Sequence, residues 1–77
     1  MEIRERIEKD IAMFKQSVEE IKKNTSARDG KILEVVKLSE MYASDSRSYL
    51  EKGDLYTSFS CISYAHGLLD AIKAILR

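Results

Sequence analysis

The chain has 77 residues, and its 13 basic and 13 acidic side chains cancel. This length allows one domain, 1–77, whose single core supplies only about 3 to 5 kcal/mol unless something reinforces it. The charges also balance locally, six of each sign up to Lys23, five of each from Asn24 to Gly53 and two of each thereafter, so no segment carries the net basic field that neutralises phosphates, which argues against nucleic acid as the main partner.

Proline is absent and glycine occurs only at Gly30, Gly53 and Gly67, so little interrupts helix formation. The first helix is predicted over about Ile3 to Lys23, where Ile7, Ile11, Phe14, Val18 and Ile21 recur at alternating spacings of four and three and share one face. Glu5, Glu8, Lys9, Glu19 and Lys22 take the water-facing side. Asn24-Thr25-Ser26 breaks the pattern. Ser26 with Asp29 three positions on resembles a capping arrangement, so a second helix is predicted from near Ala27 to Lys52. It carries Ile32, Val35, Leu38, Tyr42, Tyr49 and Leu50 inward and leaves Glu34, Lys37, Arg47 and Glu51 in water. Gly53 and Asp54 then read as a C-terminal stop followed by an N-cap, which predicts a tight helical hairpin.

The third helix, about Leu55 to Leu76, holds only two charged side chains, Asp70 and Lys73. Leu55, Ile62, Ala65, Leu69, Ile72 and Leu76 form a heptad-like seam, and Cys61, Tyr64, Leu68, Ala71 and Ile75 form a second stripe one flank over. A helix wedged between two neighbours needs both stripes. Ser60, Ser63, Gly67 and Ala74 stand where Lys and Glu would normally be, which marks this side as a candidate interface for self-association or a protein partner. The predicted architecture is all-α, an antiparallel three-helix bundle.

Candidate chemistry is sparse. Asp45 lies between Tyr42 and Tyr49 at helical spacing, and pairing across the hairpin brings Tyr42 level with about Ala65 and His66. Tyr42, Asp45, Tyr49, Tyr64, His66 and Asp70 are therefore expected to share one polar cluster, either a register-fixing network or a ligand pocket. Asp70, one turn beyond His66, is placed to orient its ring. Metal binding would need more ligands, and the di-iron pattern is broken where Ser63 replaces its Glu. Cys61 sits mid-helix in an apolar stripe without a neighbouring base, as a small core residue does. The nine serines suit close helix packing better than catalysis, because no Ser-His-acid spacing accompanies them. No catalytic residue, metal or cofactor is assigned.

The runs Tyr49-Leu50-Glu51-Lys52-Gly53-Asp54 and Tyr64-Ala65-His66-Gly67-Leu68-Leu69-Asp70-Ala71, with the preceding Tyr42-x-x-Asp45, resemble a small archaeal family, domain of unknown function 357. The resemblance covers the C-terminal half; the first helix shares only its amphipathic character. It implies a three-helix fold, an archaeal cytosolic source and no assigned activity. A looser likeness, to nucleotide-binding helical domains that include some ribonucleases, fails on its own motif. The arginine required with four to six residues between it and the histidine is replaced by Cys61, Ser60 and Phe59.

The lone Cys61 excludes an internal disulfide and suits a reducing cytoplasm. The charged start, Met1-Glu2-Ile3-Arg4-Glu5-Arg6, lacks the apolar run of a leader, and charges interrupt the roughly 18 apolar residues that a membrane span needs. The sequence thus points to a cytoplasmic, non-enzymatic helical module. It is expected to form a homo-oligomer, a dimer first, or to dock a protein partner through the third helix. The alternative is a small-molecule or nucleotide-binding accessory domain built on the Tyr/Asp/His cluster.

Overall fold

A computed structural model describes residues 2–25 and 29–76. They form three helices, α1 (Ile3–Lys23), α2 (Gly30–Glu51) and α3 (Leu55–Leu76), packed into a body of 39 × 20 × 15 Å. The bounds of α1 and α3 are those the sequence predicts. α2 starts at Gly30, after Asp29 at the N-cap position, rather than near Ala27. The Ser26 part of the expected capping arrangement lies outside the described residues.

α1 buries Ile7, Ile11, Phe14, Val18 and Ile21, the whole of its predicted stripe. Its C-terminal carbonyls are partly satisfied from beyond the helix, because Asn24 Nδ2 donates to Glu20 O at 2.9 Å and the Thr25 hydroxyl to Ile21 O at 2.6 Å. At the other end Arg4 Nη1 donates to Leu50 O at 3.3 Å. That contact places a cation at the negative end of α2.

The α2–α3 turn follows from two residues. Gly53 adopts φ 83°, a left-handed conformation that a side chain would strain. Its N–H bonds Leu50 O at 3.1 Å while the Asp54 N–H bonds Tyr49 O at 2.9 Å, the paired pattern of a Schellman stop. Asp54 then caps α3 by accepting the Thr57 N–H on Oδ1 at 3.1 Å. Hydrogen bonds from the Thr57 side chain and from its backbone N–H hold the Asp54 carboxyl below the usual aspartate range. One residue ends a helix and the next begins another.

Inside the hairpin the buried stripe of α2 is not the one its apolar residues suggest. Val36, Ser39, Ser46 and Leu50 are buried, with Ala43 packed against the same core. Ile32, Val35, Tyr42 and Tyr49 are only half-buried, and Leu38 is exposed. α3 answers with Ser58, Ile62, Ala65, Leu69 and Ile72. Small residues on both sides let the helices approach closely enough for hydroxyls to cross the seam. Ser46 Oγ donates to Ser58 O at 2.8 Å, Ser58 Oγ donates to Ser46 O at 2.7 Å, and the two hydroxyl oxygens lie 3.1 Å apart. Ser39, one heptad earlier, instead turns its hydroxyl to Val36 O within its own helix at 2.6 Å. No buried side-chain polar atom among the described residues lacks a partner.

The seam of α3 is buried as expected, apart from Leu55, which is half-buried, and Leu76, which is exposed. The wedge is not complete. α1 lies against the flank that presents Phe59, His66 and Lys73, which leaves much of the second stripe uncovered. Tyr64, Ala71 and Ile75 are exposed, while Cys61 and Leu68 are half-buried. By length and composition alone α3 is apolar enough to cross a membrane, although Asp70 and Lys73 interrupt it as the sequence reading expects. Its uncharged run extends from Leu55 to Leu69.

The reciprocal serine pair makes a measurable prediction. Ser46→Ala and Ser58→Ala each leave a carbonyl across the seam without its donor, at a cost of about 1 to 2 kcal/mol. The double variant should cost less than the two singles combined, because either single change already removes the contact between the two hydroxyls and loosens the seam that the remaining bond needs. Urea unfolding of the four proteins in a double-mutant cycle checks this, and strict additivity would show that the two side chains act independently.

Candidate functional site

The six residues expected in one polar cluster divide between two faces of α3. His66 turns toward α1. Its Nε2 lies 2.8 Å from the main-chain oxygen of Asp10, and its ring meets Phe14 edge-on with centroids 5.9 Å apart. A carbonyl oxygen only accepts, so Nε2 carries the proton in this contact. Asp70 does not orient the ring; it is exposed along the same α1–α3 groove, which Arg6, Asp10 and Lys73 also line. Lys73 closes the groove with a bond from Nζ to Ser17 Oγ at 3.1 Å. At the other end Arg6 spans the helices, 3.8 Å from Asp10 Oδ2 and 5.8 Å above the Phe59 ring centroid.

The tyrosines lie on the opposite side. Tyr42 and Tyr64 pack ring on ring, with centroids 4.5 Å apart and planes inclined by 35°. Asp45, expected to face inward, is exposed, because the neighbouring Ser46 takes the buried position about 100° around the helix. Asp45 stands near enough to Cys61 to act on it: burial pushes the half-buried thiol up, and the negative charges of Asp45 and Asp54 push the same way. That setting opposes thiolate formation. Tyr49 sits near the hairpin end, where Lys52 Nζ lies 5.3 Å from its ring centroid. Among the described residues no three His, Cys, Asp or Glu side chains converge as a metal-ligand set.

What the hairpin offers instead is a surface. On the side away from α1, Leu38 is 41% exposed, Met41 64%, Tyr64 48% and Ile75 70%. Half-buried Tyr42, Cys61 and Leu68 lie between them. These residues unite the flank of α2 that the sequence assigned to the core with the second stripe of α3. The four small residues marked as a candidate interface, Ser60, Ser63, Gly67 and Ala74, are all exposed. They occupy the adjoining side of α3, and Ser63 turns into the α1–α3 groove. A Cβ added at Gly67 would touch nothing within 4 Å, so this glycine serves no close approach inside the monomer. Met41 had no assigned role in the sequence. Its signal was its place between Leu38 and Tyr42 on a helix with apolar residues to spare.

This geometry defines an all-α three-helix protein whose distinguishing feature is an uncovered apolar face. The family model described as "Protein of unknown function (DUF357)" matches residues 9–76, and the chain belongs to that family. A comparison with curated proteins gives no match.

The His66 contacts predict a stabilising role. His66→Ala removes the cross-helix hydrogen bond and the ring contact with Phe14, and should lower stability by about 1 to 2 kcal/mol. Chemical denaturation measures this, and an unchanged midpoint would mean that α1 is held without His66.

Proposed function

We propose that this protein is a non-enzymatic helical interaction module that binds a protein surface, its own or another's, through the outer face of α2 and α3. The observation that carries this reading is the concentration of large exposed apolar side chains, Leu38, Met41, Tyr64 and Ile75, on one face. Contiguous apolar patches on soluble domains mark interaction sites, because leaving them in water is costly. Two further features support it. The Cys61 thiol is held away from its reactive form by burial and by acidic neighbours. The even distribution of 13 basic and 13 acidic residues favours a protein partner over nucleic acid.

The experiment compares the wild-type chain with a Met41→Glu/Ile75→Glu double variant. Both positions are exposed, so the variant should keep its helical circular dichroism and the unfolding midpoint that the wild type shows when dilute enough to be monomeric. The wild type should form a stoichiometric complex, with itself in sedimentation equilibrium or with a protein from its source cells, and the variant should lose it. A wild type that stays monomeric to millimolar concentration and retains no stoichiometric partner contradicts the proposal.

A further inference from the structure

The geometry points to a second copy of this chain as the occupant of the outer face, docked about a two-fold axis that crosses it at Leu38 and Leu68. α2 then lies antiparallel on the partner's α2, and α3 on the partner's α3. This inference rests on the interaction-module reading and names its partner.

The first argument is a self-complementary charge pattern. Lys31, Leu38 and Asp45 are spaced by heptads and lie along one stripe of α2. Lys31 and Asp45 each stand about 10.5 Å from Leu38 along the helix axis. Both are exposed, and among the described residues neither joins an intramolecular ion pair. An antiparallel two-fold at Leu38 sets Lys31 against the partner's Asp45, and the symmetry repeats the pair. A parallel arrangement sets like charges together. Stacking α2 over the partner's α3 leaves both charges above a stripe that contains none. Charge complementarity of this kind selects orientation more than it adds affinity.

The second argument comes from α3 independently. The seam contacts Ser46–Ser58 and Tyr42–Tyr64 fix the register of the hairpin, and continuing it places Leu38 level with Leu68. Along α3, Cys61 and Ile75 stand seven residues to either side of Leu68, with Tyr64 four residues before it and Ala71 three after. The same axis therefore sets Cys61 level with the partner's Ile75 and brings Tyr64 within one residue's rise, about 1.5 Å, of the partner's Ala71, large against small. One axis serves both helices to within that rise.

Size and net charge agree with this. A standard interface takes roughly 800 Å² from each partner. A face 39 Å long and two helix diameters wide, about 20 Å, supplies that area. With no net charge on the chain, two copies approach without long-range repulsion. Pairing also enlarges the core of a domain small enough to need reinforcement.

Sedimentation equilibrium of the full chain at low salt tests the arrangement. Lys31→Asp and Asp45→Lys should each weaken the dimer by roughly five- to tenfold, and the Lys31→Asp/Asp45→Lys double variant should recover to within about twofold of wild type. In a Cys61→Ser background, Leu38→Cys should oxidise to a covalent dimer linked through position 38 of both copies. A dimer that ignores both charge reversals and resists this cross-link overturns the two-fold axis. A chain that is monomeric alone but loses a different protein partner in Met41→Glu/Ile75→Glu overturns the second copy and leaves the module reading standing. A monomer without any partner removes both.

Discussion

The close α2–α3 seam is the contact on which the rest of the molecule depends. Serine in a helix interior usually returns its hydroxyl to a carbonyl of its own helix, as Ser39 does with Val36. Ser46 and Ser58 instead exchange hydrogen bonds across the seam, each donating to the other's carbonyl. Such an exchange requires the backbones to be close, which Ala43 and Ala65 also permit, and it is satisfied in one register only. Gly53 and Asp54 supply the turn that brings the two serines level. The register then sets everything above the seam, including the ring contact between Tyr42 and Tyr64.

Given that hairpin, α1 covers one side and not the other. Its apolar stripe fills the core, while its position along the hairpin is set by polar contacts at well-separated points: Arg4 on the end of α2, His66 on the Asp10 carbonyl, Lys73 on Ser17. The opposite side has no equivalent cover. Apolar residues there are therefore surplus to the folding of a single chain, and this surplus is the basis of the functional proposal. The candidate function follows from an asymmetry in packing; no concentration of reactive groups contributes to it.

Much of this was legible in the residues. α1 could be read completely because its five buried positions are all large and apolar at helical spacing, and the hairpin because Gly53 and Asp54 each have a specific conformational or capping role. α2 was misread for a physical reason. Two of its four buried residues are serines, so a hydrophobic pattern selects Leu38 and Tyr42 and turns the helix toward its outer flank. The polar cluster failed similarly. Asp70 is the local partner that spacing offers His66, but the actual acceptor, the Asp10 carbonyl, lies 56 residues away in sequence. Long-range main-chain acceptors leave no mark in side-chain patterns. The small residues of α3 were read as a contact surface, whereas the exposed Tyr64 and Ile75 lie one flank over.

The central claim, that the side of the hairpin facing away from α1 is the surface at work, is tested most directly by following backbone amide resonances as the protein is diluted from millimolar to micromolar concentration. The account predicts concentration-dependent shifts confined to Leu38, Met41, Tyr64, Leu68, Ile75 and their neighbours, with the exposed residues of α1 unmoved. Shifts centred on α1, or a spectrum that does not change with concentration in a chain that also binds no other protein, would contradict it.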